Sequence, residues 1–154
     1  MRDVTLTLPL REHDICLAMK KRGFGAGKLN GFGGKPETGE SPEDAAVREL
    51  DEEGGIRADA SMLEKVAVIE FSFEGKPDWD QRMHVYLVRE WDGEPVETEE
   101  MAPEWMPRSA IPYERMWIDD EFWLPRVLAG ERLEGSFRFN EDGSEILKSE
   151  LRVL

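Results

Sequence analysis

The sequence predicts a mixed α/β (α+β) fold on three observations. Residues 41–55 carry the signals of one well-delimited helix, strand-like apolar runs stand on both sides of it, and the chain is 154 residues long. A chain of this length suits one domain and buries roughly two-thirds of the surface that its unfolded form exposes. We therefore expect residues 1–154 to form a single domain that contains both helix and sheet.

The first two strands are expected at the start of the chain. Residues 4–8 alternate apolar and polar side chains, and residues 15–19 form an apolar run. The polar segment 11–14 lies between these two runs. This arrangement predicts a β-hairpin.

A basic patch and a glycine-rich loop follow the second strand. The patch is residues 20–22 and begins with Lys20, and the loop is residues 23–27 and carries Phe24. The patch could be ordinary solvated surface. Its position just upstream of the acidic helix favours a role facing a substrate. A short strand is expected next, and its Asn30 can both donate and accept hydrogen bonds.

The helix is delimited at both ends by residues suited to those positions. Ser41 can cap the free amides of the first turn, Pro42 suits the first helical position, and Asp44 completes a capping-box pattern. Gly54 and Gly55 end the helix.

Three carboxylates of this helix point to a metal. Glu49, Glu52 and Glu53 stand at helical spacings of three and four residues, so they project from one side. Mutual repulsion is removed by a hard divalent cation such as Mg²⁺, which takes oxygen ligands and can bridge them to substrate phosphates. On spacing alone, a solvated acidic face is an equally good interpretation.

Two further strands are predicted after the helix. They cover residues 66–73 and 83–88. Phe71 and Phe73 share one face by their period of two, and such a pair is by itself more typical of a core than of a ligand pocket. His84 has no neighbouring histidine and is interpreted as structural.

The last third of the chain contains an acidic run, a helix and a tail. One member of the acidic run that ends at Glu100 can reach a metal held by the first helix, and the other members are expected to be exposed. A second helix is predicted with Asp119 or Asp120 as its cap and Gly130 at its end, although Pro125 leaves its beginning open. The tail predicts a closing hairpin.

Composition restricts the possible partners. Thirty-four acidic against 20 basic residues give a formal charge of −14. This charge argues against binding nucleic-acid polymers or anionic membranes, whereas a free nucleotide with a bound metal remains allowed. The single cysteine, Cys16, excludes an intrachain disulfide and is expected to be a buried thiol. No apolar stretch approaches the about 18 residues of a membrane span, so we expect a cytoplasmic protein.

The region around the first helix resembles a Nudix box. The pattern G-x5-E-x7-R-E-U-x-E-E-x-G-U, with U a large aliphatic residue, is met at all nine fixed positions. These positions are Gly34, Glu40, Arg48, Glu49, Leu50, Glu52, Glu53, Gly55 and Ile56. Agreement at so many fixed spacings is far more specific than a lone glycine motif.

Nearly the whole chain resembles one Nudix branch, the MutT-homologue oxidised-purine nucleoside triphosphatases. The resemblance is carried by residues 19–27 and 30–34, by Phe71, Phe73, Glu100 and Met101, and by Met116, Trp117, Asp119 and Asp120. It implies Mg²⁺-dependent hydrolysis of 8-oxo-dGTP, 2-hydroxy-dATP and related nucleotides to the monophosphate and pyrophosphate. This activity sanitises the nucleotide pool and so serves DNA repair.

The same resemblance implies roles for particular residues. The purine would be hydrogen-bonded by Asn30, Asp119 and Asp120, stacked by Trp117 and enclosed by Thr5, Phe24, Phe71 and Phe73, with Lys20 facing the substrate. Metal ligands or metal-side bases would be the Gly33 carbonyl, Glu49, Glu52, Glu53 and Glu100. Arg48 and Glu40 complete the catalytic set by orienting these carboxylates. The metal would be Mg²⁺, or Mn²⁺ in its place.

The implied fold is the Nudix α/β/α sandwich around a mixed β-sheet, as one Nudix hydrolase domain over residues 1–154 and as a monomer. The chain departs from the branch at Leu29, Ile118 and Gln81, where the branch has tryptophan, proline and a pocket methionine, which leaves the preferred purine open. Two alternatives remain at this point. One is a Nudix pyrophosphatase of other nucleoside diphosphate-linked substrates, and the other is a non-catalytic nucleotide-binding module.

Overall fold

Eight strands and two α-helices make up the computed structural model, which describes all residues from Met1 to Leu154. In chain order they are β1 (Arg2–Pro9), β2 (Asp14–Lys20), β3 (Leu29–Asn30), α1 (Pro42–Gly54), β4 (Leu63–Phe73), β5 (Gln81–Val88), β6 (Met101–Pro107), α2 (Asp120–Leu128), β7 (Leu133–Phe139) and β8 (Ile146–Val153). Short 3₁₀ turns join several of them. The expected mixture of helix and sheet is confirmed.

The strands form two sheets. The larger is mixed and has the order β1-β5-β4-β7-β8, in which β1 lies parallel to β5, β4 lies parallel to β7, and the other neighbours are antiparallel. The smaller is antiparallel and has the order β3-β2-β6. The predicted closing hairpin of the tail is confirmed as the β7–β8 pair.

The predicted hairpin of the first two strands is wrong. The turn itself forms, because the amide of Arg11 donates to the carbonyl of Asp14 at 2.9 Å and Leu10 bridges Ile15. Beyond that bridge the chain separates, and β1 and β2 enter different sheets. Both strands are apolar enough to be buried, so each is stabilised by a partner that is distant in sequence.

Two apolar clusters hold the layers together. The larger lies between the mixed sheet, the small sheet and α2, and includes Trp123 and Phe137. The smaller joins α1 to the small sheet through Leu50 and Phe32 and contains Cys16, whose pKa is raised to about 12 by burial. The expected buried thiol is therefore confirmed.

Helix α1 begins and ends as predicted. Ser41 Oγ accepts a hydrogen bond from the amide of Asp44 at 3.1 Å, and Pro42 is the first helical residue. Gly55 adopts φ 68° at the C-cap and its amide donates back to Asp51 and Leu50, which is the left-handed ending that glycine favours.

Helix α2 differs from its prediction at the cap. Asp119 stands at the N-cap position but makes no side-chain capping bond. Its carboxylate instead accepts a hydrogen bond from the indole N–H of Trp123 at 2.8 Å. Pro125 lies inside the helix, where it removes one backbone donor. No helix of the protein is long and apolar enough to cross a membrane.

Candidate functional site

One cavity of about 500 Å³ contains every residue that was predicted to bind substrate. It opens where the first residues of β1 and β5 meet the end of β4 and the loop before β3. Its lining includes Thr5, Lys20, Phe24, Asn30, Phe71, Phe73, Trp117, Asp119 and Asp120. Residues from six different parts of the chain are thus gathered at one place, although little in their local sequence connects them.

Two adjacent acids form the polar end of the cavity. Asp119 and Asp120 are 3% and 4% exposed, so both carboxyl groups are removed from solvent. Burial raises the pKa of Asp119 to about 6, against the lowering effect of the hydrogen bond from Trp123. Burial, followed by the neighbouring Asp119 charge, raises the pKa of Asp120 well above its ordinary value. The raised pKa favours the protonated form of Asp120, in which its carboxyl group can donate a hydrogen bond.

The carboxyl group of Asp120 is free to bind a ligand. Its Oδ2 atom is buried and has no hydrogen-bond partner within the protein. Buried polar atoms without partners are uncommon because they lose the hydrogen bonds that water would provide. Since Asp120 lines the cavity, its unpartnered oxygen can be satisfied by a molecule that enters there.

Phe71 and Phe73 serve both the core and the cavity. They point to the inner face of β4 and are 7% and 4% exposed. Phe71 stacks on Phe137 and Phe139 with ring centroids 6.0 and 5.8 Å apart, and Phe73 lies 5.1 Å from Phe139. The core interpretation and the pocket interpretation are therefore both consistent with the structure.

The glycine-rich loop brings Phe24 over Trp117. The two ring centroids are 5.1 Å apart. Gly25 has φ +83°, and a Cβ atom there would lie 3.2 Å from Nε1 of Trp117. This position needs glycine for its backbone conformation and for its close approach to the indole.

Of the predicted basic patch, only Lys20 lines the cavity. The ammonium of Lys21 pairs with Glu97, and the guanidinium of Arg22 lies 3.7 Å from Glu99 and 3.4 Å from Glu100. The expectation that the whole patch faces a substrate is thus wrong for Lys21 and Arg22. Their side chains instead form ion pairs with glutamates of the acidic run before β6.

The acidic end of the cavity depends on a close backbone crossing. The amide of Gly33 donates to Glu53 Oε1 at 2.7 Å, and the amide of Thr5 donates to the carbonyl of Gly34 at 2.9 Å. A Cβ atom on Gly33 would lie 1.7 Å from the Thr5 carbonyl oxygen, and one on Gly34 would lie 2.7 Å from the Glu49 carboxylate. A side chain at Gly33 would collide with the backbone of β1, so this position requires glycine, and the loop can lie directly between β1 and α1.

Arg48 joins the acidic side chains of the box. Its Nε and Nη2 donate to the two carboxylate oxygens of Glu40 at 2.9 and 3.0 Å. Its Nη1 donates to Glu49 at 2.9 Å and to Glu52 at 3.1 Å, and Nη2 also donates to the carbonyl of Lys35 at 3.0 Å. The guanidinium lowers the pKa of Glu40 by this hydrogen bonding. The bonds are those expected of a residue that orients the cluster.

The donors at this end fit a hard divalent cation. Burial raises the pKa of Glu53 to about 7 against the bond from Gly33, and the charges of Glu49 and Glu100 raise it further. Burial also raises the pKa of Glu49, with a contribution from Glu100. These carboxylates are close enough to disfavour one another's charge, and they offer only oxygen ligands, which suit Mg²⁺. No three acidic, histidine or cysteine side chains are already gathered in a metal-binding arrangement.

Several cavity residues were not predicted. Arg2, Lys35, Trp79, Met83 and Phe139 line the cavity. They reach the cavity through tertiary contacts between segments that are distant in sequence, so no local pattern indicates them. Gln81, noted in the sequence only as a departure, also lines the cavity.

His84 is structural, as interpreted from the sequence. Its Nε2 atom lies 2.9 Å from the carboxylate of Asp3, outside the cavity lining.

Glu53→Gln is predicted to stabilise the metal-free protein at alkaline pH. Glutamine keeps the acceptor for Gly33 but removes a buried charge. Because the folded pKa of about 7 exceeds the ordinary glutamate pKa of 4.5, wild-type stability is retained below pH 4.5 and is lost as the pH rises through 7. In EDTA at pH 8 we expect the variant to gain about 1–3 kcal/mol in its free energy of unfolding.

The measurement for Glu53→Gln is urea unfolding at pH 4.5 and pH 8, with the exposed Glu52→Gln as the matched control. The gain should vanish at pH 4.5 and should be absent from the control. An equal stability difference at both pH values would show that burial of the charge is not its cause.

Comparison with known proteins identifies the family. The model of the NUDIX domain matches residues 1–127. An oxidized purine nucleoside triphosphate hydrolase of Mus musculus is 44% identical over 148 residues, which cover 96% of this chain and 92% of the relative. That of Danio rerio is 45% identical over 136 residues, covering 88% and 85%.

More distant relatives point to the same family. An Escherichia coli 8-oxo-dGTP diphosphatase is 45% identical over 82 residues, which cover 53% of this chain and 59% of the relative. The crystal structure of a mutator MutT protein from Bacillus halodurans superposes with a TM-score of 0.85 at 26% identity and covers 98% of this chain and 97% of its own. A family model that matches most of the chain and relatives at 44–45% identity show that this chain belongs to the Nudix family.

Proposed function

We propose that this protein hydrolyses oxidised purine nucleoside triphosphates, such as 8-oxo-dGTP and 2-hydroxy-dATP, to the monophosphate and pyrophosphate. By doing so it would remove damaged nucleotides from the pool used for DNA synthesis. The observation that carries the proposal is the buried pair Asp119 and Asp120 in an aromatic cavity that is also lined by Glu53 of the box. The names of the mouse, zebrafish and E. coli relatives support it.

The polar end of the cavity suits a purine edge. Protonated Asp120 donates a hydrogen bond and ionised Asp119 accepts one, while the amide of Asn30 can do both. Oxidation of a purine changes which of its edge atoms donate and which accept. A pair of acids that can hold one proton in either position matches more than one such pattern, whereas an apolar pocket cannot.

The opposite end of the cavity suits the triphosphate. Lys20 and Lys35 line the cavity, and neither ammonium forms an ion pair within the protein. Arg48 holds the loop of Lys35 through its carbonyl. In a chain with a formal charge of −14, unpaired cations at the cavity are well placed to bind an anionic ligand.

The glutamates would hold Mg²⁺, with Glu49, Glu52, Glu53, Glu100 and the Gly33 carbonyl as its candidate ligands. When bound, Mg²⁺ supplies charge neutralisation and a lowered pKa for a coordinated water. A glutamate of α1 accepts the proton of the attacking water, and Arg48 and Glu40 keep the carboxylates in place. Positioning of this kind is most of what phosphoryl transfer needs from a protein.

The direct test is a turnover panel with Mg²⁺. Normal and oxidised nucleoside triphosphates are compared with a dinucleoside polyphosphate and a nucleotide sugar. We expect the oxidised purines to have the highest kcat/KM, with monophosphate and pyrophosphate as products, and Glu53→Gln to remove most turnover while remaining folded. Preference for a nucleotide sugar, or orthophosphate as the first product, would contradict the proposal.

Replacing either cavity acid is predicted to change substrate preference. In Asp119→Asn or Asp120→Asn the amide cannot exchange donor and acceptor roles as a carboxyl group can. We expect kcat/KM for 8-oxo-dGTP and 2-hydroxy-dATP to fall by about tenfold or more, and by different factors. The conservative Asp142→Asn, in an exposed turn, is the control. Wild-type rates with an unchanged ratio in both cavity variants would show that these acids do not read the base.

We propose further that the chain acts as a single-domain monomer in the cytoplasm, on free nucleotides. The formal charge of −14 supports this, because it disfavours nucleic-acid polymers and anionic membranes. Sedimentation should give a mass near the 17.7 kDa of one chain. A stable dimer at low micromolar concentration would contradict the monomer.

A further inference from the structure

Five aromatic rings that line the cavity form a closed series of contacts with one another, which we call the aromatic collar. Following this series, the ring centroids are separated by 5.1 Å from Trp117 to Phe24, 5.0 Å from Phe24 to Trp79, and 5.4 Å from Trp79 to Phe73. The series continues by 5.1 Å from Phe73 to Phe139 and closes by 6.5 Å from Phe139 to Trp117. All five residues line the cavity.

Trp79 links two parts of the collar that otherwise contact each other less closely. Phe24 belongs to the glycine-rich loop and Phe73 to the end of β4. Their own centroids are 6.2 Å apart, whereas Trp79 lies 5.0 Å from the first ring and 5.4 Å from the second, both in edge-to-face geometry. Edge-to-face pairs are favourable arrangements for aromatic rings, so Trp79 connects the loop side of the collar to its sheet side.

The indole of Trp79 is fixed in place without a ligand. It ends the 3₁₀ turn Pro77–Trp79, which is closed by a 3.1 Å bond from the amide of Asp80 to the carbonyl of Pro77. The amide of Arg2 donates to the carbonyl of Asp80 at 3.2 Å and ties this turn to β1. The ammonium of Lys76 lies over the indole at 4.0 Å from its centroid, a favourable cation–π contact.

Although it is fixed, the side chain of Trp79 is only half-buried and retains apolar surface that lines the cavity. Aromatic side chains bind nucleic-acid bases through their ring faces and edges, and the gain increases with the contact area of the base. A bicyclic purine offers more ring area to this wall than a monocyclic pyrimidine does. The collar therefore provides a physical basis for selecting bases by ring size, separate from the hydrogen bonds at the acid pair.

We propose that Trp79 is a specificity-determining residue of the base site: it closes the aromatic collar, contacts the bound base, and favours purines over pyrimidines. The inference rests on the proposed function, since it assumes that the cavity holds the base of a nucleoside triphosphate. It assigns Trp79 no part in the chemical step, which belongs to the opposite, acidic end of the cavity.

The experiment compares Trp79→Leu and Trp79→Met, which keep apolar volume without a ring, with Trp79→Phe, which keeps a ring. The matched control is Trp91→Leu, because Trp91 is also half-buried and stacked, at 5.9 Å from Trp105, but does not line the cavity. We expect the Leu and Met variants to raise KM for oxidised purine triphosphates about tenfold while kcat changes by less than about twofold. Trp79→Phe should recover most of the loss.

Two further readouts locate the effect at the base. The ratio of kcat/KM for dGTP over that for dCTP should fall in the ring-less variants, and the inhibition constant of inorganic pyrophosphate should stay unchanged. An unchanged KM in folded ring-less variants would overturn the proposal. Weaker pyrophosphate inhibition together with a loss of kcat, or loss of folding in both ring-less variants while Trp91→Leu stays folded, would assign Trp79 a structural role instead.

Failure of this inference can be told apart from failure of the proposed function. If the wild-type protein turns over none of the oxidised purine triphosphates, the proposed function is wrong. Calorimetric binding of 8-oxo-dGMP and of dCMP to the wild-type and Trp79→Leu proteins still tests the collar in that case. Equal affinities of the two proteins for 8-oxo-dGMP would overturn the role of Trp79 whatever the enzyme hydrolyses.

Discussion

The close crossing of the Gly33–Gly34 segment with β1 is the constraint on which the site depends. The hydrogen bond from Thr5 to Gly34 and the missing side chain at Gly33 let the loop lie against β1 without space for a single Cβ atom. The bond from Gly33 to Glu53 then fixes the last turn of α1 to the same place. One short segment thereby sets the position of the acidic cluster relative to the sheet that lines the base cavity.

Electrostatics divides the cavity into two chemically different ends. At the acidic end, Arg48 makes bonds to three carboxylates and neutralises part of their repulsion, but Glu53 stays buried with a raised pKa. At the other end, Asp119 and Asp120 are buried without a cation to pair with them. Both ends lower the stability of the ligand-free protein, the first because like charges lie close together and the second because the buried Oδ2 atom of Asp120 lacks a hydrogen-bond partner. A ligand with a metal-bound polyphosphate and a polar base edge relieves both.

Some aromatic residues of the cavity belong both to its wall and to the hydrophobic core. Phe71 and Phe73 are nearly as buried as the rest of the core, and their stacking on Phe137 and Phe139 ties the cavity wall to β7. Phe24, by contrast, is 50% exposed and sits on a loop whose glycines adopt positive φ. The cavity wall is therefore continuous with the core on its sheet side and exposed to solvent on its loop side.

The sequence by itself determined the features that depend on near neighbours. Helix α1, its Ser41 cap, its glycine ending and the carboxylates on one face follow from spacings within one helix, and the intact box and its flanking motifs indicated the family and the nine cavity residues predicted for substrate. Only the tertiary structure decided which strands pair. In the tertiary structure β1 and β2 lie in different sheets, and Asp119 accepts a hydrogen bond from Trp123 instead of capping α2. Lys21 and Arg22 pair with glutamates and do not line the cavity. The tertiary structure also brought Trp79 and Phe139 into the cavity wall. These outcomes depend on which apolar faces and charges meet across long separations in the chain, and local periodicity carries no information about that choice.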